Sequence, residues 1–138
     1  MDTKKYSELA PLFLRIGVGI IFIVAGWGKV TGLWGALFSG EEWGFVGAVA
    51  NIGFPFPFLF AGIVAVIEFF GGIMVLLGYK IRIPVLLLAG VMLVAIFGVK
   101  LDDGFNAARL DFMLLLASLA LVFSGSGSYS VDDMLGRK

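Results

Sequence analysis

A single glutamate, Glu68, stands in the middle of an apolar run from Phe58 to Gly78. Charge at the centre of a membrane-spanning helix is unfavourable by at least a few kcal/mol, and it faces a cavity or a partner. Glutamate is too short to reach the interface, so Glu68 is either protonated or approached by a cation. The preceding apolar run, Leu9 to Val30, offers two cations, Arg15 and Lys29. Arg15, Gly19, Phe22, Gly26 and Lys29 recur at helical spacing and share one face. Ala61, Ala65, Glu68, Gly72 and Val75 form a similar small-residue face on the next run, and small residues let helices approach closely in lipid. The two faces are expected to meet. At 1.5 Å per residue, Arg15 lies about 9 Å inside the bundle and Glu68 about 15 Å from the same side. An Arg15–Glu68 pair is therefore the expected contact; the alternative is that Arg15 snorkels to the headgroups.

At the opposite mouth, Asp111 opens the last apolar run near Lys29 and Lys100, with Asp102, Asp103 and Arg109 in the adjoining loop and Ser118 deeper on the Asp111 face. Arg15, Lys29, Glu68, Asp111 and Lys100 are thus the candidate pocket residues. For Asp111 and Lys100 the plainer alternative is helix-end anchoring, with a carboxylate favoured near a helix N-terminus. Polar groups converging inside an apolar bundle are the setting of ligand sites and proton exchange. Other chemistry is excluded by what is missing. The chain has no His and no Cys, which removes the commonest general base, triads, disulfides and the usual metal and cluster ligands. Ten basic residues balance ten acidic ones, so the basic field needed for nucleic acid is absent.

The elements that must position these residues follow from composition. Of 138 residues 60% are hydrophobic and only 14% charged, with a mean hydropathy of +1.05. Soluble chains are about 45–50% apolar and about 25% charged; a bilayer is the solvent that fits. Four runs approach the roughly 20 residues needed to cross it: Leu9 to Val30, Phe58 to Gly78, Ile83 to Val99 and Ala107 to Phe123. The fold expected is an all-α membrane protein, a four-transmembrane-helix bundle forming a single domain over residues 1–138. Between the first two spans, Trp34 and Trp43 suit headgroup depth, whereas Glu41 and Glu42 oppose a full crossing. A short interfacial or re-entrant helix near Phe45 to Asn51 is expected to cap one mouth, followed by an extended Phe54-Pro55-Phe56-Pro57 lead-in to the second span. Ser124 to Ser128 reads as a flexible break, and Ser130 with Asp133 as a capping box for a last short helix on the surface. Lys4, Lys5, Lys80, Arg82, Arg137 and Lys138 fall on one side and Lys29, Lys100 and Arg109 on the other. By the positive-inside rule this implies a multi-pass cell-membrane protein with both termini cytoplasmic.

The run Leu14-Arg15-Ile16-Gly17-Val18-Gly19 with Gly26-x-Gly28-Lys29 resembles the first helix of the DoxX family of small four-helix membrane proteins. Asn51-Ile52-Gly53-Phe54-Pro55, Ile67-Glu68-Phe69-Phe70-Gly71-Gly72, Asp111-Phe112-x-Leu114-Leu115 and Gly125-x-Gly127-x-Tyr129-Ser130-Val131-Asp132 are similar to its later motifs. Two departures are Ala25, where many members carry histidine, and Asp111, where they carry glutamate. The resemblance implies an association with quinol- or quinone-linked redox systems. Together with the interior charges it suggests an accessory subunit whose pocket takes a quinone-like or other amphipathic small molecule. No cofactor ligands are intrinsic to the chain, so a partner redox protein would supply electrons. A structural or assembly role and, less favoured because no half is duplicated, a small transporter are the alternatives. The glycine-rich faces leave a homo-oligomer open.

Overall fold

The computed structural model describes residues 3–136, with the side chains of Lys100 and Leu101 outside the description. It is built of helices: α1 (Thr3–Ser7), α2 (Leu9–Phe38), α3 (Gly44–Asn51), α4 (Pro57–Leu77), α5 (Arg82–Ala95), α6 (Phe105–Ser124) and α7 (Val131–Met134). A wide π turn, Ile96–Lys100, and a tight 3-10 turn, Leu101–Asp103, join α5 to α6. Among the described residues four helical stretches are long and apolar enough to cross a membrane, Thr3–Phe38, Pro57–Leu77, Arg82–Val99 and Phe105–Ser124. One end of the bundle carries α1 and α7, here the terminal end; the other carries α3, the loop end.

The first span is longer than its apolar run suggests. α2 continues eight residues past Val30 to Phe38, because Thr31–Phe38 contains no proline and its two glycines are seats for the following loop. A Cβ at Gly32 would collide with the Trp43 indole, and one at Gly35 with the Glu41 carboxylate. The rings of Trp34 and Phe38, one turn apart, pack at 4.4 Å. At 1.5 Å per residue, α2 is about 45 Å long, well beyond the roughly 30 Å hydrocarbon core.

α2 and α4 run antiparallel along a seam narrowed by glycine. A Cβ at Gly19 would lie 2.8 Å from that of Leu76, and one at Gly72 would lie 2.9 Å from the Ile23 nitrogen. The two small-residue faces foreseen from the sequence do meet, and Ala61, Ala65, Phe22 and Val75 are buried between them. α5 and α6 complete the core with Val85, Leu88, Met92, Leu114 and Leu121.

Two local expectations are corrected. The lead-in to α4 is not extended throughout: Phe56, at its N-cap, is left-handed with φ 50°. Proline disfavours the right-handed region for its predecessor, and Pro57 begins the helix where a missing N–H is harmless. The Ser124–Ser128 stretch is not a loose spacer either. Gly125 and Gly127 turn it at φ 72° and 69°, and its side chains dock. Ser126 Oγ donates to Asp132 Oδ2 at 2.9 Å, and Ser128 Oγ donates to Glu8 Oε2 at 2.8 Å. The short α7 forms as read, with the Asp133 N–H donating to Ser130 Oγ at 3.1 Å.

Candidate functional site

The site begins with Gly26. An added Cβ there would overlap the Phe69 backbone, so α2 and α4 are in van der Waals contact at the level of Glu68. One turn further along α2, toward the loop end, the Lys29 side chain folds back onto α4. Its Nζ lies 2.5 Å from Glu68 Oε2. Glu68 is 3% exposed, so this is an ion pair with a desolvated acid partner. Such a pair needs close geometry to offset the removal of charge from water. The same ammonium stands 5.1 Å from the centroid of the Phe45 ring on α3, a cation–π contact. Lys29 thereby ties three elements together.

Beside the pair is a cavity of about 510 Å³, within the size range of small-molecule sites. Lys29, Glu68 and Asp111 supply its charged groups. Asp111, on α6, is 6% exposed. The walls are apolar: Phe45 and Val49 from α3, Ile52 just after it, Phe60 and Val64 from α4, and Val91, Met92 and Ala95 from α5 are among them. α3 therefore covers the mouth at which an interfacial helix was expected.

Three of the five sequence candidates are thus brought to one cavity, and a fourth, Arg15, is not. The expected Arg15–Glu68 pair does not form. Because Gly26 faces Glu68 and Phe69, Arg15 lies eleven residues, or about 16 Å, further down α2. It stands level with the end of α4, where Gly78 packs on its guanidinium. The expected offset treated Leu9 and Gly78 as level, whereas α2 overhangs α4 at the terminal end. Arg15 is nonetheless 1% exposed, because the C-terminal segment covers it. Nη1 donates to the Leu76 carbonyl at 3.2 Å and Nη2 to the Tyr129 carbonyl at 3.0 Å. Asp132 secures that segment: its N–H donates to the Gly78 carbonyl at 3.0 Å and its carboxylate accepts the Lys80 N–H at 2.9 Å. Arg15 belongs to this latch rather than to the cavity. The side chain of Lys100 lies outside the described residues. Ser118 is buried, and its hydroxyl has no hydrogen-bond partner among the described residues.

Two contributors escaped the sequence reading. Phe45 was placed on the interfacial helix but not against Lys29. Asp132 reads from the sequence as part of a surface tail. Neither contact has a local signal in the sequence, since both depend on how α2 seats against the elements around it. Among the described residues no cluster of three or more His, Cys, Asp or Glu side chains could hold a metal ion.

Four long apolar helices around an intramembrane ion pair and an apolar cavity define an integral membrane protein. The chain belongs to the DoxX family, whose family model matches residues 10–101. Asp111 and the latch segment lie beyond that matched stretch. Relatives extend further. The chain is similar to "Inner membrane protein YqjF" of Escherichia coli (strain K12), 32% identical over 98% of each chain. It is similar to "Putative oxidoreductase CatD" of Bacillus subtilis (strain 168), 35% identical over 96% of this chain and 91% of that one. A third is "Uncharacterized membrane protein Rv3486" of Mycobacterium tuberculosis (strain ATCC 25618 / H37Rv), 30% identical over 91% of this chain and 80% of the relative. No solved structure matches the chain significantly.

Proposed function

We propose that the chain is an accessory membrane subunit of a redox, quinone-linked system, and that its cavity holds a quinone-like or other amphipathic small molecule. The observation that carries this reading is one apolar cavity bordered by the Lys29–Glu68 pair and Asp111. Apolar walls with a few convergent polar groups are what an amphipathic ring requires. Lys29 would donate to a carbonyl oxygen, Glu68 would accept or return its proton, and Asp111 would offer a second proton-exchanging carboxyl. A quinone, when bound, supplies two-electron, two-proton chemistry, with electrons drawn from a partner protein. The oxidoreductase in the name of the Bacillus relative is consistent with this assignment. Lys4, Lys5, Lys80 and Arg82 gather at the terminal end, which supports placing both termini in the cytoplasm; Arg137 and Lys138 lie outside the described residues.

Lipid extracted from the purified protein, analysed for quinone, tests the reading. Enrichment over the host membrane is expected, with loss in Glu68→Gln. No enrichment, together with no effect of Glu68→Gln on binding of an added benzoquinone, overturns it. The ion pair's position on the tightest helix seam favours one competing role, a purely structural lock without a ligand, and the same experiment separates the two.

A further inference from the structure

Toward the loop end the cavity is roofed. Val49 of α3 is buried, Ile52 sits where a Cβ on Gly98 would lie 3.5 Å from it, and the rings of Phe54 and Phe60 pack at 5.1 Å. Toward the terminal end α4 and α5 close on each other, since a Cβ at Gly71 would be in van der Waals contact with Leu88 and Pro84. Between these closures the cavity has an outward side. Leu87, Gly90 and Val94 of α5 line it, yet Leu87 is 48% and Val94 43% exposed. A Cβ at Gly90 would meet nothing within 4 Å. Gly90 stands eight residues from Arg82 and nine from Val99, so about 12–14 Å from either end of the span. That is mid-depth in a hydrocarbon core roughly 30 Å thick, so the gap opens onto acyl chains rather than water.

We infer that the cavity is loaded from within the bilayer, through the gap between α4 and α5 beside Gly90. Its ligand is then a membrane-dissolved amphiphile whose head reaches Lys29 and Glu68 while its apolar tail remains in the gap. This rests on the reading of the cavity as an amphiphile site and adds the route and the class of ligand. A tailless, water-borne head group would have to pass the α3 roof, where Phe45 is held by the Lys29 ammonium.

The test uses the full chain in lipid nanodiscs, with a benzoquinone bearing a ten-carbon tail as probe and quenching of the native tryptophans as readout. Gly90→Leu is expected to slow association of the tailed probe at least tenfold, whereas Ala50→Leu, on an exposed position of α3 outside the cavity lining, leaves it unchanged. Should Gly90→Leu not fold, Leu87→Phe narrows the same gap and is read the same way. An unchanged rate in the gap variant, or slowing by Ala50→Leu alone, overturns the route while leaving the amphiphile site standing. Failure of the wild-type chain to bind the tailed probe overturns both.

Discussion

Lys29 Nζ and Glu68 Oε2 lie 2.5 Å apart across a seam in which Gly26 leaves no room for a side chain. The acid is buried and the base is only partly so, at side-chain exposures of 4% and 24%. Each partner's removal therefore has a different consequence from the removal of both.

Lys29→Met leaves Glu68 buried without its cation, and a loss of about 3–5 kcal/mol is the usual scale for breaking such a pair. The double variant Lys29→Met with Glu68→Leu should recover most of that loss, because apolar replacement of a buried pair is often neutral. Denaturant titration of the two variants in detergent checks this. A double variant no more stable than the single one would show that the charges do more than compensate each other.

Gly26→Ala should be more damaging than its size suggests. The new methyl overlaps the backbone of Phe69 rather than a side chain that could swing away, and overpacking of this kind is destabilising by roughly 1–3 kcal/mol. The same change at Gly28, which faces open space, should be neutral or mildly stabilising, as helix propensity favours alanine by up to about 1 kcal/mol. Paired unfolding curves distinguish the two glycines.

Arg15→Ala should free the C-terminal segment without emptying the cavity site. It removes the donors to the Leu76 and Tyr129 carbonyls, and hydrogen bonds to charged groups are each worth about 1.5–3 kcal/mol. Limited proteolysis should then cut between Ser124 and Ser130 at least tenfold faster than in wild type, with probe binding retained. Asp132→Asn should act in the same direction and more weakly, since its N–H still bonds Gly78. Loss of probe binding in Arg15→Ala would place this arginine back in the ligand site.

Val64→Phe adds apolar volume on the cavity wall. Because the ring enters open cavity space and not a packed core, the variant should fold with a loss below the roughly 1–3 kcal/mol typical of overpacking, while binding of the tailed benzoquinone falls at least tenfold. Unchanged binding would argue that the ligand lies elsewhere.

The membrane class, the four spans and the facing glycine stripes of α2 and α4 were legible in the sequence because hydropathy and helical spacing are local properties. The interfacial helix was legible for the same reason, through Glu41, Glu42 and the prolines that follow. The pairing of charges was not. It depends on the longitudinal register of α2 against α4, and that register is decided by where Gly26 and Gly19 seat, not by where each apolar run begins. Counting from Leu9 put Arg15 beside Glu68; contact at Gly26 put Lys29 there instead. The docked tail was illegible because Ser124–Ser128 is polar and glycine-rich, a composition shared by loose linkers and by turns held by side-chain hydrogen bonds.

The latch also has a bearing on biogenesis. Arg15 leaves the ribosome well before one of its acceptors, the Tyr129 carbonyl, which follows it 114 residues later in the chain. While the later helices are being inserted, the guanidinium has only the Leu76 carbonyl and the water and headgroups at the membrane surface to bond to, and synthesis of the Tyr129 segment completes its cover. A transcript truncated before Tyr129 would yield four inserted helices with that arginine short of one of its two carbonyl acceptors, a state that membrane proteases could distinguish from the full-length chain.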